Sequence, residues 1–320
     1  MTTAPLTNTL ACVTISNPAP ERQADLLRLI GWRQAAEGAI DASLEKLWGI
    51  GPGNAGKRFS VWHSPGSDWG MIRVVQGPDR YPTRQIGARW SGIEIIVMKD
   101  IDGLYEKLQK SGLFKVFVPP TNYDFTHVGS NIHRAMVGRM PGGTHIVFTM
   151  AVTAPKGRAF PSSPNDVGHI FAVHLVAKDF KPSFAFYRED LGMPPYLEDH
   201  LEHGLWHDTW SLPDGTPVDL GTVRGNVPGT GRGAIEMQGY PDTVIDPIAI
   251  TRDKLDGGSC IATYTADDID ATFKVVKGNK QATVLSEPMA MAGAPYNGGR
   301  AFCFLGPSGE RFEVAERFVP

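Results

Sequence analysis

Hydrophobic and polar positions along the chain repeat one pattern four times. Each repeat opens with a short apolar run of strand character and passes into an amphipathic stretch. It ends in short alternating runs broken by Gly and Pro. The repeats begin near Leu10, Gly92, Gly168 and Ser259. Two of them are visibly alike. Residues 92–109, GIEIIVMKDIDGLYEKLQ, and residues 259–276, SCIATYTADDIDATFKVV, share a strand, an acidic turn and a helix start. Repetition on this scale makes each copy a control for the others.

The pattern predicts opening strands at 10–16, 93–97, 170–176 and 260–265, and helices at 19–30, 101–111, 182–191 and 268–276. Gly31, Gly112, Gly192 and Gly278 follow or end these helices, where a left-handed cap suits glycine. Residues 152–166 are rich in Pro, Ser and basic side chains with no apolar period, which reads as a linker. The expected architecture is α+β: four βαβββ modules paired into two barrel-like domains. An N-terminal pair over 1–151 and a C-terminal pair over 168–320 are joined by a linker at 152–167.

In such a unit the helix packs on one face of the sheet, and the other face is concave and open to a ligand. Strand alternation assigns the faces. Phe171, Val173 and Leu175 suit the helix, which turns Ile170, Ala172, His174 and Val176 to the opposite side. In the last strand Phe312 and Val314 suit the helix, and Arg311, Glu313 and Ala315 face the concavity.

Composition narrows the classes. The chain has 320 residues, 42% hydrophobic and 20% charged, enough for two globular domains with full cores. A net charge of −3 argues against a nucleic-acid partner. No apolar run approaches the roughly 18 residues of a membrane span. The first residues show no basic segment followed by a long apolar one, so no secretory signal is expected. Cys12, Cys260 and Cys303 form no CxxC and no disulfide framework. They read as small buried apolar side chains in a reducing, cytoplasmic setting.

Two segments carry a family likeness. Residues 184–192 read FAFYREDLG. Residues 298–314 read GGRAFCFLGPSGERFEV, a closing hairpin with a Pro-Ser-Gly turn and a Glu four residues past Gly309. The chain thereby resembles the vicinal oxygen chelate superfamily, which includes glyoxalase I, extradiol dioxygenases, fosfomycin-resistance proteins and bleomycin-binding proteins. The likeness covers most of the chain. Its four modules look most like the extradiol dioxygenase arrangement, in which the C-terminal half carries the metal.

The resemblance implies metal ligands at the start of a module's first strand and on its closing strand. The first-strand positions are Ala11, Ile93, Ala172 and Ile261, none of which binds a metal. The closing-strand positions are Arg73, Val147, Asp219 and Glu313. The two histidines and one carboxylate of an iron dioxygenase are not at these places.

The halves also differ. The first sets Ala11, Val13, Ile93, Ile95 and Val147 on the concave side, which predicts a filled core. The second sets His174, Asp219, Thr263, Arg311 and Glu313 there. Burying that many polar groups is costly unless they are paired, so a cavity is expected in the second half.

The candidate chemistry follows. His174 is read as a base or a displaced ligand, Glu313 as a ligand or proton carrier, and Asp219 as an acid/base partner beside Trp210. If a metal binds, Glu313 and His174 are its expected ligands. Trp210, Phe304, Thr263, Arg311 and Tyr296 are the expected substrate contacts, and His200, His203 and His207 read as a solvated loop and strand. The function expected is proton transfer, by a lyase or isomerase, on a small aromatic or carbonyl-bearing molecule. The resemblance allows one divalent metal ion and a homodimer. The rivals are an extradiol-type ring-cleavage dioxygenase with relocated ligands and a non-catalytic small-molecule binding or resistance protein.

Overall fold

The four repeats become four modules in the computed structural model, which describes residues 6–78, 86–87, 89–153, 161–225, 232–246 and 253–319. The first contains β1 (Leu10–Asn17), α1 (Pro20–Leu29), β2 (Arg33–Ala39), α2 (Ala42–Trp48), β3 (Arg58–His63) and β4 (Met71–Gln76). The second contains β5 (Arg89–Val97), α3 (Ile101–Ser111), β6 (Lys115–Asp124), β7 (Ile132–Arg139) and β8 (His145–Ala151). The third contains β9 (Val167–Val176), α4 (Phe180–Ala185), β10 (Pro195–Leu201), α5 (Leu205–Trp210), β11 (Val218–Arg224) and β12 (Ala234–Gly239). The fourth contains β13 (Gly258–Thr265), α6 (Ile269–Gly278), β14 (Thr283–Val284), β15 (Met289–Ala290), β16 (Arg300–Leu305) and β17 (Arg311–Ala315).

The likeness between residues 92–109 and 259–276 has a physical cause. Asp100 caps α3 by accepting from the Gly103 N–H, and Asp268 caps α6 by accepting from the Ala271 N–H. Gly31, Gly112 and Gly192 adopt positive φ of 90°, 65° and 65°. Gly278 instead lies inside α6, which ends at Asn279 with φ −89°. The third helix starts at Phe180, two residues early, and widens into a π turn over Phe186–Asp190 that keeps Phe186 and Tyr187 buried.

The strands form two sheets. The first runs β14-β16-β17-β13-β1-β4-β3-β2, with β15 on β16, and the second runs β10-β11-β12-β9-β5-β8-β7-β6. The first module therefore pairs with the fourth through antiparallel β1 and β13, and the second with the third through antiparallel β5 and β9. This corrects the expected pairing within 1–151 and within 168–320: each sheet takes one module from each half. The reason is edge satisfaction. The opening strand lies at one edge of its own module, is buried along its length, and leaves a row of N–H and C=O groups needing a partner. The opening strand of another module supplies it, and apolar pattern alone does not say which. Within the stretch expected as a linker, residues 154–160 lie outside the described residues, and β9 already begins at Val167.

One apolar core joins the helix-bearing faces of both sheets. It includes Leu26, Leu108, Val13, Ile93, Ile95, Val173, Phe302, Phe304 and Phe312. Val13, Ile93 and Ile95 thus face helices rather than a concavity. Phe304 is core as well, fully buried and stacked 5.1 Å from Phe312. Alternation holds from Ala172 to Val176, whereas Ile170 joins the core and Phe171 lines a cleft, because the β5–β9 pairing is irregular there.

Modules one and three each insert a short helix that fills part of the concave face. α2 buries Leu44, Leu47 and Trp48, and α5 buries Leu205, Trp206 and Trp210. The segment expected as strand through residue 208 stops at Leu201; Gly204 (φ 106°) turns the chain into α5. His207 is buried in that helix, its Nε2 2.6 Å from the Thr216 carbonyl oxygen.

Candidate functional site

The centre of the second sheet brings three ionisable side chains onto one concave row. Parallel pairing sets Glu236 of β12 beside His174 of β9, and Glu94 of β5 beside Val147 of β8. Antiparallel pairing sets Gly92 opposite His174 and Glu94 opposite Ala172. The ligand atoms of Glu94, His174 and Glu236 consequently lie within 4.8 Å of one another. Gly92 matters here: a Cβ would stand 2.9 Å from the His145 carbonyl oxygen and 3.4 Å from His174 Nδ1.

Glu94 is held by Thr149, whose hydroxyl donates to Oε1, and its Oε2 lies 3.7 Å from His174 Nε2. That Nε2 is buried and makes no hydrogen bond. Trp206 packs edge-on against the imidazole at 4.8 Å. Burial pushes the Glu236 carboxyl up to about 7, with the Glu94 charge adding to the effect and His174 opposing it. One imidazole and two carboxylates around a shared point, with a buried ring nitrogen lacking a partner, form a donor set that fits a divalent cation.

Above this row opens a cleft with Glu94 and Glu236 in its lining and walls of Trp69, Phe125, Phe171, Tyr196 and Trp206. Trp69 comes from the first module and rests 3.9 Å from the His169 ring, so three modules build the cleft. His133 of β7 also lines it, with Nε2 3.3 Å from Ser130 Oγ and its ring 5.0 Å from Phe125. Burial lowers the pKa of His133, which keeps the ring neutral at pH 7.

The first sheet has a centre of another kind. Glu313 is fully buried and accepts from Trp48 Nε1 at 2.7 Å, Thr263 Oγ1 at 2.8 Å, Tyr296 OH at 2.9 Å and Arg73 Nη2 at 3.3 Å. Arg73 also donates to Thr14 Oγ1 at 2.9 Å and to Tyr296 OH at 2.7 Å, and lies 4.6 Å over the Trp48 ring. An apolar cluster including Ile261, Met291, Cys303 and Phe318 closes around them.

Solved structures share this architecture. Glyoxalase I from Zea mays superposes with a TM-score of 0.63 at 14% identity, over 97% of this chain and 92% of that one. A dioxygenase candidate from Bacillus subtilis superposes with a TM-score of 0.59 at 14% identity, over 98% of this chain and 86% of that one. The chain has the vicinal oxygen chelate fold. No protein-family profile matches the sequence, and no curated protein matches it. At such identity the likeness speaks for the fold, and the site must be argued from its residues.

Within the vicinal oxygen chelate fold, the residues expected to share one site are dispersed. His174 is in the second sheet's row. Glu313, Thr263 and Tyr296 are in the closed centre of the first sheet, so Glu313 and His174 do not meet. Arg311 is buried near that centre and donates to the Lys254 carbonyl oxygen at 3.1 Å. Asp219 is half-exposed on β11, bonded to His200 Nδ1 at 2.9 Å. Trp210 is buried 4.9 Å from the His145 ring, and α5 offers Leu205 and Trp206 to the cleft instead.

Two site residues, Glu94 and Glu236, were not foreseen. The first-strand position falls on Glu94 rather than Ile93, a slip of one residue that reverses the face. The third module's closing strand is β12 rather than β11, so its position is Glu236 and not Asp219. A signal was present: both are lone carboxylates in apolar runs, IEII and AIEM, where a buried charge needs a reason.

Proposed function

We propose that this chain is a metal-dependent enzyme that moves a proton on a small aromatic or carbonyl-bearing molecule, as an isomerase or lyase. The observation that carries the reading is the convergence of Glu94, His174 and Glu236, with His174 Nε2 unpartnered, beneath an aromatic cleft. These three residues would hold a divalent ion, which when bound polarises a carbonyl oxygen as a Lewis acid. A single imidazole with two carboxylates favours ions such as Mn2+ or Zn2+ over the two-histidine set of iron dioxygenases.

The chain's own groups supply the rest. Glu236 lines the cleft beside Glu94, where its carboxylate is within reach of a bound substrate and can carry a proton. Its carboxylate takes the proton as the substrate's C–H bond beside the carbonyl breaks, and returns it to a neighbouring atom, with no net oxidation. Thr149 holds Glu94 by a hydrogen bond, and Trp206 packs edge-on against His174. Phe125, Phe171, Tyr196 and Trp206 sandwich a flat ligand and exclude water.

The test is metal analysis followed by hydrogen exchange in D2O, read by NMR, over a panel of small aryl aldehydes and ketones. Metal-loaded protein is expected to exchange the acidic C–H. Glu236→Gln should lower the rate at least about 100-fold, the scale of general acid–base catalysis, and His174→Ala should lose the metal. Stoichiometric iron with oxygen uptake on catechols would establish the dioxygenase instead. Tight binding of a panel member with no exchange in any metal form would favour a binding protein.

A further inference from the structure

The register defines matching rows in the two sheets. In the second, His174 pairs with Glu236 and Glu94 with Val147, and Glu94 stands opposite the residue two before His174, Ala172. In the first, Thr14 pairs with Arg73 and Thr263 with Glu313, and Thr263 stands opposite the residue two before Thr14, Cys12. Thr14 therefore corresponds to His174, Arg73 to Glu236, Thr263 to Glu94 and Glu313 to Val147.

We infer that Arg73 is a built-in cation that closes the first sheet's row to metal, so the chain takes one divalent ion and not two. The inference deepens the proposed metal site and rests on it for the count of one. Charge makes the argument. The second row holds two carboxylates and an imidazole beside an apolar residue, with no cation among the four, and its acids open onto the cleft. The first holds one guanidinium and one carboxylate at 3.3 Å, with two hydroxyls. Its polar atoms bond one another and Tyr296 and Trp48, leaving no carboxylate oxygen unpartnered. A divalent ion there would meet a fixed positive charge in a dry setting, where repulsion is strong. The inserted helices differ to match: Trp48 of α2 lies over the guanidinium, whereas Trp206 of α5 stands edge-on to His174 beside an open cleft.

The experiment strips full-length protein of metal and titrates it with Mn2+. Wild type is expected to bind one ion per chain. Thr14→His/Arg73→Glu, which restores an imidazole and a carboxylate beside Glu313, is expected to bind two, and adding Glu94→Gln should return the count to one. A natively folded double variant that still binds one ion overturns the inference, as does wild type binding two. In wild type, Mn2+ should broaden the Trp206 indole N–H signal and spare that of Trp48, a readout available even if the double variant does not fold. Equal loss of both overturns it. If wild type binds none while the double variant binds one, the second-sheet metal reading fails and the role of Arg73 stands.

Discussion

Thr14, Arg73, Thr263 and Glu313 in one sheet, and His174, Glu236, Glu94 and Val147 in the other, occupy corresponding places on near-copies of a single scaffold. In the first set each charge has an opposite and each buried carboxylate oxygen has donors, so the space shut completely. In the second set two acids face one imidazole, a ring nitrogen lacks a partner, and the space stays open as a cleft. The scaffold decides where a centre can exist. Charge balance decides whether it is structural or reactive, because a buried ion pair persists only when fully bonded.

The sharpest way to break this comparison is to unbalance each centre in turn. Arg73→Met strands Glu313 in an apolar cluster, and urea denaturation should show a loss of about 3–5 kcal/mol, the cost of a buried charge without its partner. Glu236→Gln removes one of two crowded acids and should raise the stability of the metal-free protein. If both variants lose stability alike, the two centres are equivalent and the contrast is mistaken.

Another buried acid serves as a control, since it belongs to neither row. Glu310 accepts from Tyr187 OH at 2.5 Å and from the Ser308 N–H at 2.8 Å, and burial pushes it up to about 7 against those hydrogen bonds. Its folded pKa exceeds the ordinary 4.5, so the native state binds more protons between those values. Its contribution to stability should be fully present below pH 4.5 and fall as pH rises towards 7, by on the order of 3 kcal/mol. Glu310→Gln should flatten that part of the pH–stability curve. An unchanged slope would show that burial alone does not hold acids protonated in this fold, and that the Glu236 shift needs another origin.

Ligand linkage sharpens the contrast next. Mn2+ at a hundredfold excess over its dissociation constant should add about 2.7 kcal/mol, seen as a rise of a few degrees in Tm. His174→Ala should abolish the rise. Thr263→Ser, at the place in the first sheet that matches Glu94, should leave it intact. Loss of the shift in Thr263→Ser would mean that the ion binds in the first sheet.

The modules were legible because the periods are strong: four opening strands, and α3 over 101–111, stand where the apolar spacing put them. Pairing was not legible, because any opening strand can satisfy the edge of another and nothing local distinguishes β9 from β13 as the partner of β5. The asymmetry between a filled and an open concavity was readable from polar residues, but it was assigned to halves of the chain when it belongs to sheets. Glu313 was correctly placed on a concave face, and its partners Arg73 and Trp48 lie 240 and 265 residues away in sequence, beyond any local pattern. Glu94 and Glu236 hid behind a one-residue face slip and a misjudged closing strand.

Asp219 gives the smallest effect and the cleanest separation of sequence logic from geometry. A two-residue hairpin turn at Pro213-Asp214-Gly215 would set it beside Trp210. Instead β11 begins only at Val218 and pairs Asp219 with Gly239 and His200, while Trp210 ends α5 in the apolar cluster. The Asp219–His200 contact at 2.9 Å is between side chains about half exposed to water, where such pairs contribute little. Asp219→Asn should therefore change unfolding free energy by no more than about 0.5 kcal/mol, as for most surface changes, and should leave Mn2+ affinity untouched. A tenfold loss of Mn2+ binding in this variant would place the metal towards β10 and β11 rather than at Glu94, His174 and Glu236, and would reverse the assignment of the open centre.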